Sequence, residues 1–323
     1  MRRRDTLLAG AALMTLPLAL RAQQSFPTKP ITWVVGFAPG GGADSVTRLV
    51  SAKVAQNIGQ PIVVENRPGA SSIIAAQYVA HAAADGYTVF SSEQGGLVFN
   101  AALYSKLPYD PAADFTPISD MIRAPLVLVA HPAFPATDVK GLIEYARQNP
   151  GKVNFGTPGL GIVHHLAMEA FKARAGVDLV AVHYKGIAPA MQDVIAGQIP
   201  IAAVDTVVVL PNIRSGKLRP LATFSDKRLA VLPDVPSLGE LGFPGLEMAP
   251  IVGVVAPRNT PRDVVAKLSA EVQRAVREPD VNAKLTGLGL EVIGDTPEQF
   301  RAFLDNEAKT WLPFIRKLNI KLD

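Results

Sequence analysis

Ile31 to Val35 is an apolar run, and beyond it apolar residues recur at Val46, Leu49, Val50, Val54 and Ile58. The run predicts a buried strand, and the three-and-four spacing predicts one face of a helix. Between them lies Gly36-Phe37-Ala38-Pro39-Gly40-Gly41-Gly42-Ala43-Asp44, a glycine-rich turn. The order then repeats. Pro61-Ile62-Val63-Val64-Glu65 predicts a strand, and Ser71 or Ser72 caps a helix that ends near Ala84. Tyr87-Thr88-Val89-Phe90 predicts a further strand that runs into a turn, Ser91 to Gly96. Strands alternating with helices predict an α/β fold with a parallel sheet.

Pro125 to Ala130 predicts a strand that leaves this unit for a second one. There a helix over Leu142 to Asn149 precedes a strand, Lys152 to Phe155. That strand feeds another glycine-rich turn, Gly156-Thr157-Pro158-Gly159-Leu160-Gly161, and a helix with Val163, Leu166, Ala170 and Phe171 on its apolar face. A strand near Leu179 to Val182, the loop His183-Tyr184-Lys185-Gly186 and a helix through Met191 and Ile195 follow. Ile199 to Val204 predicts a strand ending at Asp205-Thr206, Pro211 to Gly216 closes a short helix, and Leu218 to Phe224 predicts another strand. Asp226 to Pro250, rich in Pro and Gly, predicts a connection back to the first unit, where Ile251 to Ala256 is again a strand. Thr260-Pro261 and Thr296-Pro297 each place a capping residue before a proline suited to the first helical position. The last helix carries Phe300, Phe303, Leu304, Trp311 and Ile315. The expected division is 26–123 with 250–323 as one domain and 124–249 as the other, with two chain crossings forming a hinge.

The first residues change the picture. Arg2, Arg3 and Arg4 precede an apolar run from Leu7 to Leu20 that is too short to span a bilayer, and Leu20-Arg21-Ala22 follows. This is the pattern of a secretory signal peptide, residues 1–22, cut near Ala22, with Sec and twin-arginine export both open. The segment holds four Arg and one Asp, so it supplies +3 of the formal +4, and the rest is about +1. Nothing in that balance points to nucleic acid. The absence of cysteine excludes disulfides, thiol nucleophiles and thiolate metal sites.

The glycine turn is the strongest chemical signal. Glycines let the backbone approach a ligand closely, and the first amides of the helix lack partners within it. With the helix dipole they form a place for an anion. A Walker loop would need Gly-Lys-Ser/Thr, whereas Ala43-Asp44 follows the glycines. A dinucleotide fingerprint would need a glycine where Ser45 stands. A small carboxylate fits better than a nucleotide, and a tight turn without ligand is the plain alternative. Asp44 and Asp205 sit where a short acid either contacts ligand or bonds local backbone, as an N-cap at Asp44 and to a loop amide at Asp205. His164-His165 are adjacent, so on a helix they diverge by about 100° and cannot chelate one metal. One is expected to face the loop and the other solvent. There is no Gly-x-Ser-x-Gly elbow and no cofactor signature.

Six stretches in order carry a resemblance: Phe37–Asp44, Val64-Glu65-Asn66-Arg67-Pro68-Gly69-Ala70, Asp85-Gly86-Tyr87, His183–Gly186, Leu232-Pro233-Asp234-Val235-Pro236-Ser237-Leu238, and Ala256-Pro257-Arg258-Asn259-Thr260-Pro261. With them the chain resembles a Bug-type periplasmic solute-binding protein of the tripartite tricarboxylate transporter family. The resemblance implies a type II-like, two-domain periplasmic-binding-protein clamshell with a mostly parallel sheet in each domain. It implies a monomer in the periplasm that captures a mono- or dicarboxylate, aromatic acids included, for membrane permease subunits. It implies no enzyme activity, cofactor, metal or nucleic acid. A secreted α/β enzyme acting on a carboxylate, and a binding protein serving a sensor, are the alternatives. The expected ligand-binding residues are Phe37, Ala38, Gly40, Gly41, Gly42, Asp44, Ser91, Glu93, Gln94, Thr157, Gly159, Gly161, Ile162, His165, Tyr184, Lys185, Gly186 and Asp205. One departure stands out: Ile162 follows Gly161 where the family usually carries Ser or Thr. Thr157 is the candidate substitute, and Ile162 favours an apolar or aromatic cargo body.

Overall fold

The computed structural model describes residues 26–322. The expected signal peptide lies outside the described residues. In chain order the elements are β1 (Ile31–Val35), α1 (Gly42–Ile58), β2 (Ile62–Asn66), α2 (Ile73–Ala80), β3 (Thr88–Ser92), α3 (Asn100–Leu103), β4 (Phe115–Arg123) and β5 (Leu126–Ala130). Then come α4 (Val139–Gln148), β6 (Val153–Thr157), α5 (Val163–Ala175), β7 (Leu179–His183), α6 (Ile187–Ile195), β8 (Ile201–Asp205), α7 (Thr206–Arg214) and β9 (Arg219–Thr223). β10 (Ile251–Pro257), α8 (Arg262–Arg277), α9 (Pro279–Gly287), β11 (Glu291–Val292) and α10 (Pro297–Lys317) complete the chain.

The strands form two sheets, ordered β11-β4-β10-β3-β1-β2 and β7-β6-β8-β5-β9. Both are mixed. β2, β1 and β3 run parallel, as do β7, β6 and β8. These are the trios whose strand–helix alternation is plain in the sequence. The remaining ladders are antiparallel, because β10 returns between β3 and β4, and β5 enters between β8 and β9. Those strands arrive by chain crossings rather than through a crossover helix, so nothing fixes them parallel.

Each sheet is covered on both faces. Trp33, Val46, Val50, Val54, Leu268 and Val272 form part of a core between the first sheet and helices α1 and α8. Each such Val or Leu contributes roughly 1.5–3 kcal/mol when fully buried. A second core, with Phe90, Phe99, Phe155, Phe171, Phe300 and Trp311, runs through both lobes.

Three local expectations change. α2 stops at Ala80 rather than near Ala84, where the His81 ring nitrogen Nδ1 sits 2.8 Å from the Gln77 carbonyl and closes the last turn. Ser72 precedes α2 but does not cap it: its φ is +69°, and its hydroxyl donates to the Gly36 carbonyl instead. Thr260 likewise turns its hydroxyl back to the Pro257 carbonyl at 2.8 Å, and α8 begins after Pro261. Thr296 does cap α10, in a reciprocal box with Gln299. β4, α9 and β11 have no counterpart in the sequence pattern, since Pro117 interrupts the first, α9 follows the end of α8 at Arg277 almost without a break, and β11 is only Glu291–Val292.

The chain passes between the sheets twice, at 124–125 and over 224–250. The crossings lie side by side, with the Ala124 amide donating to the Pro250 carbonyl at 2.8 Å. Thr206, at the start of α7, reaches from the second lobe to donate its hydroxyl to the Gly289 carbonyl at 2.8 Å.

Candidate ligand-binding site

The first glycine turn leaves β1 and enters α1. Gly40 adopts φ +82°, a conformation that L side chains rarely take, so glycine is required there. Gly41 is the N-cap residue with ordinary extended angles, and a Cβ on it or on Gly42 would meet no close neighbour. Gly40, Gly41 and Gly42 are exposed, as is Ala38. The amides of Gly42, Ala43 and Asp44 open the helix and find no acceptor within it. Phe37 is partly buried against the first core, and its carbonyl accepts from the Asn66 side chain at 3.0 Å.

Asp44 is committed elsewhere than expected. It is buried inside the first turn of α1, not at the N-cap. One oxygen accepts from the Gly40 amide at 2.9 Å and from Arg48 Nε at 3.0 Å, and the other from Asn66 Nδ2 at 2.7 Å. Burial works against the charge, but Arg48, the Gly40 amide and Asn66 outweigh it and hold the carboxyl below its usual range. Asp44 therefore shapes the turn from behind.

The second turn leaves β6 and enters α5. The Thr157 hydroxyl donates to the Gly159 carbonyl at 3.1 Å, and the side chain is fully buried, so it does not replace the hydroxyl missing at residue 162. Gly161 has φ +74°, and a Cβ there would lie 2.7 Å from Leu103 of α3. That contact joins the second turn to the first lobe. Ile162 is the N-cap residue of α5, half-buried, with no side-chain capping bond, and it packs beside Gly159. The amides of Val163, His164 and His165 open α5 as those of Gly42–Asp44 open α1.

Both histidines are buried, against the expectation that one faces solvent. His165 Nδ1 accepts from the Gly161 amide at 3.2 Å, and its ring lies against Phe155 and His183. Burial, with His183 and Lys172 nearby, pushes it down to about 4, so it is a neutral brace for the loop. His164 points the other way and meets Asp205 Oδ2 through Nε2 at 3.0 Å. Burial opposes its charge, but Asp205 and Glu93 outweigh that and hold it above the usual imidazole range. Asp205 stands at the N-cap of α7 yet makes no capping bond; it faces the imidazole rather than a loop amide.

Glu93, the first residue beyond β3, belongs to the other lobe. It is half-buried. Burial and the Asp205 carboxylate push it up to about 7, with His164 pulling back. So Glu93, Asp205 and His164 form one electrostatic group across the lobes. The neighbours of Glu93 in the sequence serve structure. Ser91 is buried and accepts from Trp33 Nε1 at 2.7 Å, and Gln94 bonds the backbone on either side of Pro250. At the rim, Tyr184 donates to Asp193 at 2.6 Å, Lys185 is exposed, and the Gly186 amide donates to the Pro158 carbonyl at 3.1 Å. Among the described residues no group of histidines and acids is arranged to hold a metal.

His165 is among the expected ligand-binding residues and His164 is not. Adjacent positions on a helix look alike in sequence, and only the pairing with Asp205, 41 residues away, separates them.

Two mixed α/β lobes, each ending in a glycine turn and a helix start, define the two-lobed class of solute-binding receptors. A family model described as tripartite tricarboxylate transporter family receptor matches residues 46–320, and the chain belongs to that family. BugT of Bordetella pertussis is 34% identical over 92% of this chain and 92% of its own. The solved structure of Rpa4515 from R. palustris, with adipate, is 37% identical with a TM-score of 0.81, covering 90% of this chain and 97% of that one. MatC from Rhodopseudomonas palustris, with malate, is 35% identical with a TM-score of 0.78, covering 90% and 100%.

Proposed function

We propose that this chain is exported to the periplasm as a monomer and captures a small organic carboxylate between its lobes for delivery to the membrane subunits of a transporter. The observation that carries this reading is the pair of helix starts. α1 and α5 each follow a glycine turn at the carboxyl end of a strand, one in each sheet, with their first amides open. Each supplies donors and the positive end of a helix dipole, which suits one carboxylate held from both sides. Relatives captured with adipate and malate support the same chemistry. The crossings at 124–125 and 224–250 divide the chain into lobes of 26–123 with 250–323 and of 124–249, and they act as the hinge on which the lobes close. The chain acts as a receptor rather than an enzyme, a reading supported by the receptor family it belongs to, and its ligand leaves unchanged.

A thermal-shift screen over mono-, di- and aromatic carboxylates tests the reading. A ligand at a hundred times its Kd stabilises by about 2.7 kcal/mol, enough to move the melting temperature clearly. A panel without any shift, confirmed by calorimetry, contradicts it.

A further inference from the structure

Resting on the carboxylate reading, we propose that Leu103 is a positioning residue: it latches the second glycine turn to the first lobe and so sets how long cargo stays bound.

Leu103 ends α3 in the first lobe, and Gly161 belongs to the turn between β6 and α5 in the second. Both are buried. A Cβ on Gly161 would lie 2.7 Å from Leu103 Cδ2 and 3.0 Å from Cδ1, so the two methyls fill the space that any side chain there would need. Gly161 is therefore glycine for two reasons, its φ of +74° and this contact. The contact is apolar, and it runs from one lobe to the other.

Both sides of the contact are braced. In the second lobe the Gly161 amide donates to His165 Nδ1 at 3.2 Å, and the Thr157 hydroxyl to the Gly159 carbonyl at 3.1 Å. In the first lobe Asn100, fully buried at the start of α3, donates through Nδ2 to the Ser71 carbonyl at 3.0 Å and to the Tyr109 hydroxyl at 3.1 Å. The segment after α10 comes back onto α3 past Asn319, which has φ +52°. There the Leu322 amide donates to the Leu103 carbonyl at 2.9 Å, and Lys321 Nζ to the Ala102 carbonyl at 3.1 Å. Ile320 and Leu322 pack on the core that holds Leu103.

A contact between lobes exists only while they are together, so it favours the closed form over the open one. Cargo held between the lobes leaves after they part, and the latch therefore acts on release. At 2% exposure Leu103 has no surface left for cargo. It slows release alike for every acid and leaves their ranking unchanged.

The test follows release of radiolabelled adipate, malate and benzoate, and of any tighter carboxylate from the screen, by chase from the full mature chain. Equilibrium dialysis supplies the affinities. In Leu103→Ala release is expected to be about tenfold faster, with Kd raised by the same factor, association unchanged and the affinity ratios among the acids preserved. Leu103→Met, which refills most of the volume, should return release to within about twofold of the wild type. Leu322→Pro removes the amide that braces the Leu103 carbonyl and should speed release about threefold. Loss of packing in α3 alone would lower the melting temperature without ligand and leave release unmoved. Release within about twofold of the wild type in both Leu103→Ala and Leu322→Pro overturns the proposal and leaves the carboxylate reading intact. A change confined to one acid does the same, since it would make Leu103 a cargo contact. Should Leu103→Ala not fold by circular dichroism, Leu322→Pro decides alone by the same criterion. A chain that binds no carboxylate of the screen overturns both.

Discussion

Gln94 grips Ile251 and its neighbourhood with both ends of its amide: Oε1 accepts from the Ile251 amide at 3.1 Å, and Nε2 donates to the Ala249 carbonyl at 2.7 Å. Pro250, between them, accepts from Ala124 of the other crossing. One buried side chain therefore fixes the point where the chain returns to the first lobe.

Gln94→Ala strips the partners from two backbone groups in this region. An unsatisfied buried group costs about 1–3 kcal/mol. The expected loss is about 2–4 kcal/mol, read as a fall in melting temperature of several degrees. A melting temperature equal to the wild type means that water or a backbone shift replaces the amide without cost, and that the grip does not set the crossing.

Asp120 gives stability a pH dependence. It is fully buried in β4, one oxygen lies 3.3 Å from Arg123 Nε, and Oδ1 has no partner among the described residues. Burial pushes the carboxyl up to about 8, Arg123 pulls it back, and Asp295 pushes it further. The unfolded value is about 3.9. Between these values the folded chain holds a proton that the unfolded chain releases, so this contribution is full at low pH and is lost as pH rises through about 8. Asp120→Asn is expected to flatten the decline of melting temperature across that window. Glu93 and Glu307, both pushed up to about 7, leave a smaller slope of the same sign. A slope identical to the wild type assigns the decline to other groups.

Ile162→Ser tests the second turn twice over. Residue 162 is the N-cap of α5 with φ −83° and ψ 168°, a geometry in which Ser caps well. A cap gained there is expected to stabilise by about 0.5–2 kcal/mol. The same hydroxyl can donate to a carboxylate, a bond contributing ~1.5–3 kcal/mol, or about one to two powers of ten in Kd. Tightening for small polar acids with little change for apolar ones is the expected pattern in calorimetry. Stabilisation without any change in affinity means that residue 162 serves the helix alone.

Both glycine turns were legible in the sequence, because each holds a glycine at positive φ, Gly40 and Gly161, a conformation that other residues rarely take. The parallel trios were legible too, since strand, turn and helix follow each other locally. What escaped was non-local. Ser91, Gln94 and Asp44 stand in the right stretches, but their side chains bond Trp33, the 249–251 backbone and Asn66, partners that only tertiary structure reveals. The antiparallel returns of β10 and β5 escaped for the same reason: strand direction in a ladder depends on how the chain crosses, not on its apolar pattern.

Gly41→Val tests the central claim, that the amides beyond the first glycine turn grip the cargo carboxylate. Gly41 has φ −74°, and a Cβ there would lie 3.5 Å from the Ala38 carbonyl, an ordinary contact. Valine suits the backbone angles but is a poorer N-cap residue than glycine, so the fold should accept it at a cost of about 1 kcal/mol. The branched side chain would nonetheless stand over the amides of Gly42, Ala43 and Asp44. Calorimetric titration of the wild type and Gly41→Val with the tightest carboxylate from the screen is the direct measurement. The expected result is a melting temperature without ligand lower by only a few degrees and an affinity lower by about tenfold or more. Equal affinities in the two proteins would contradict it.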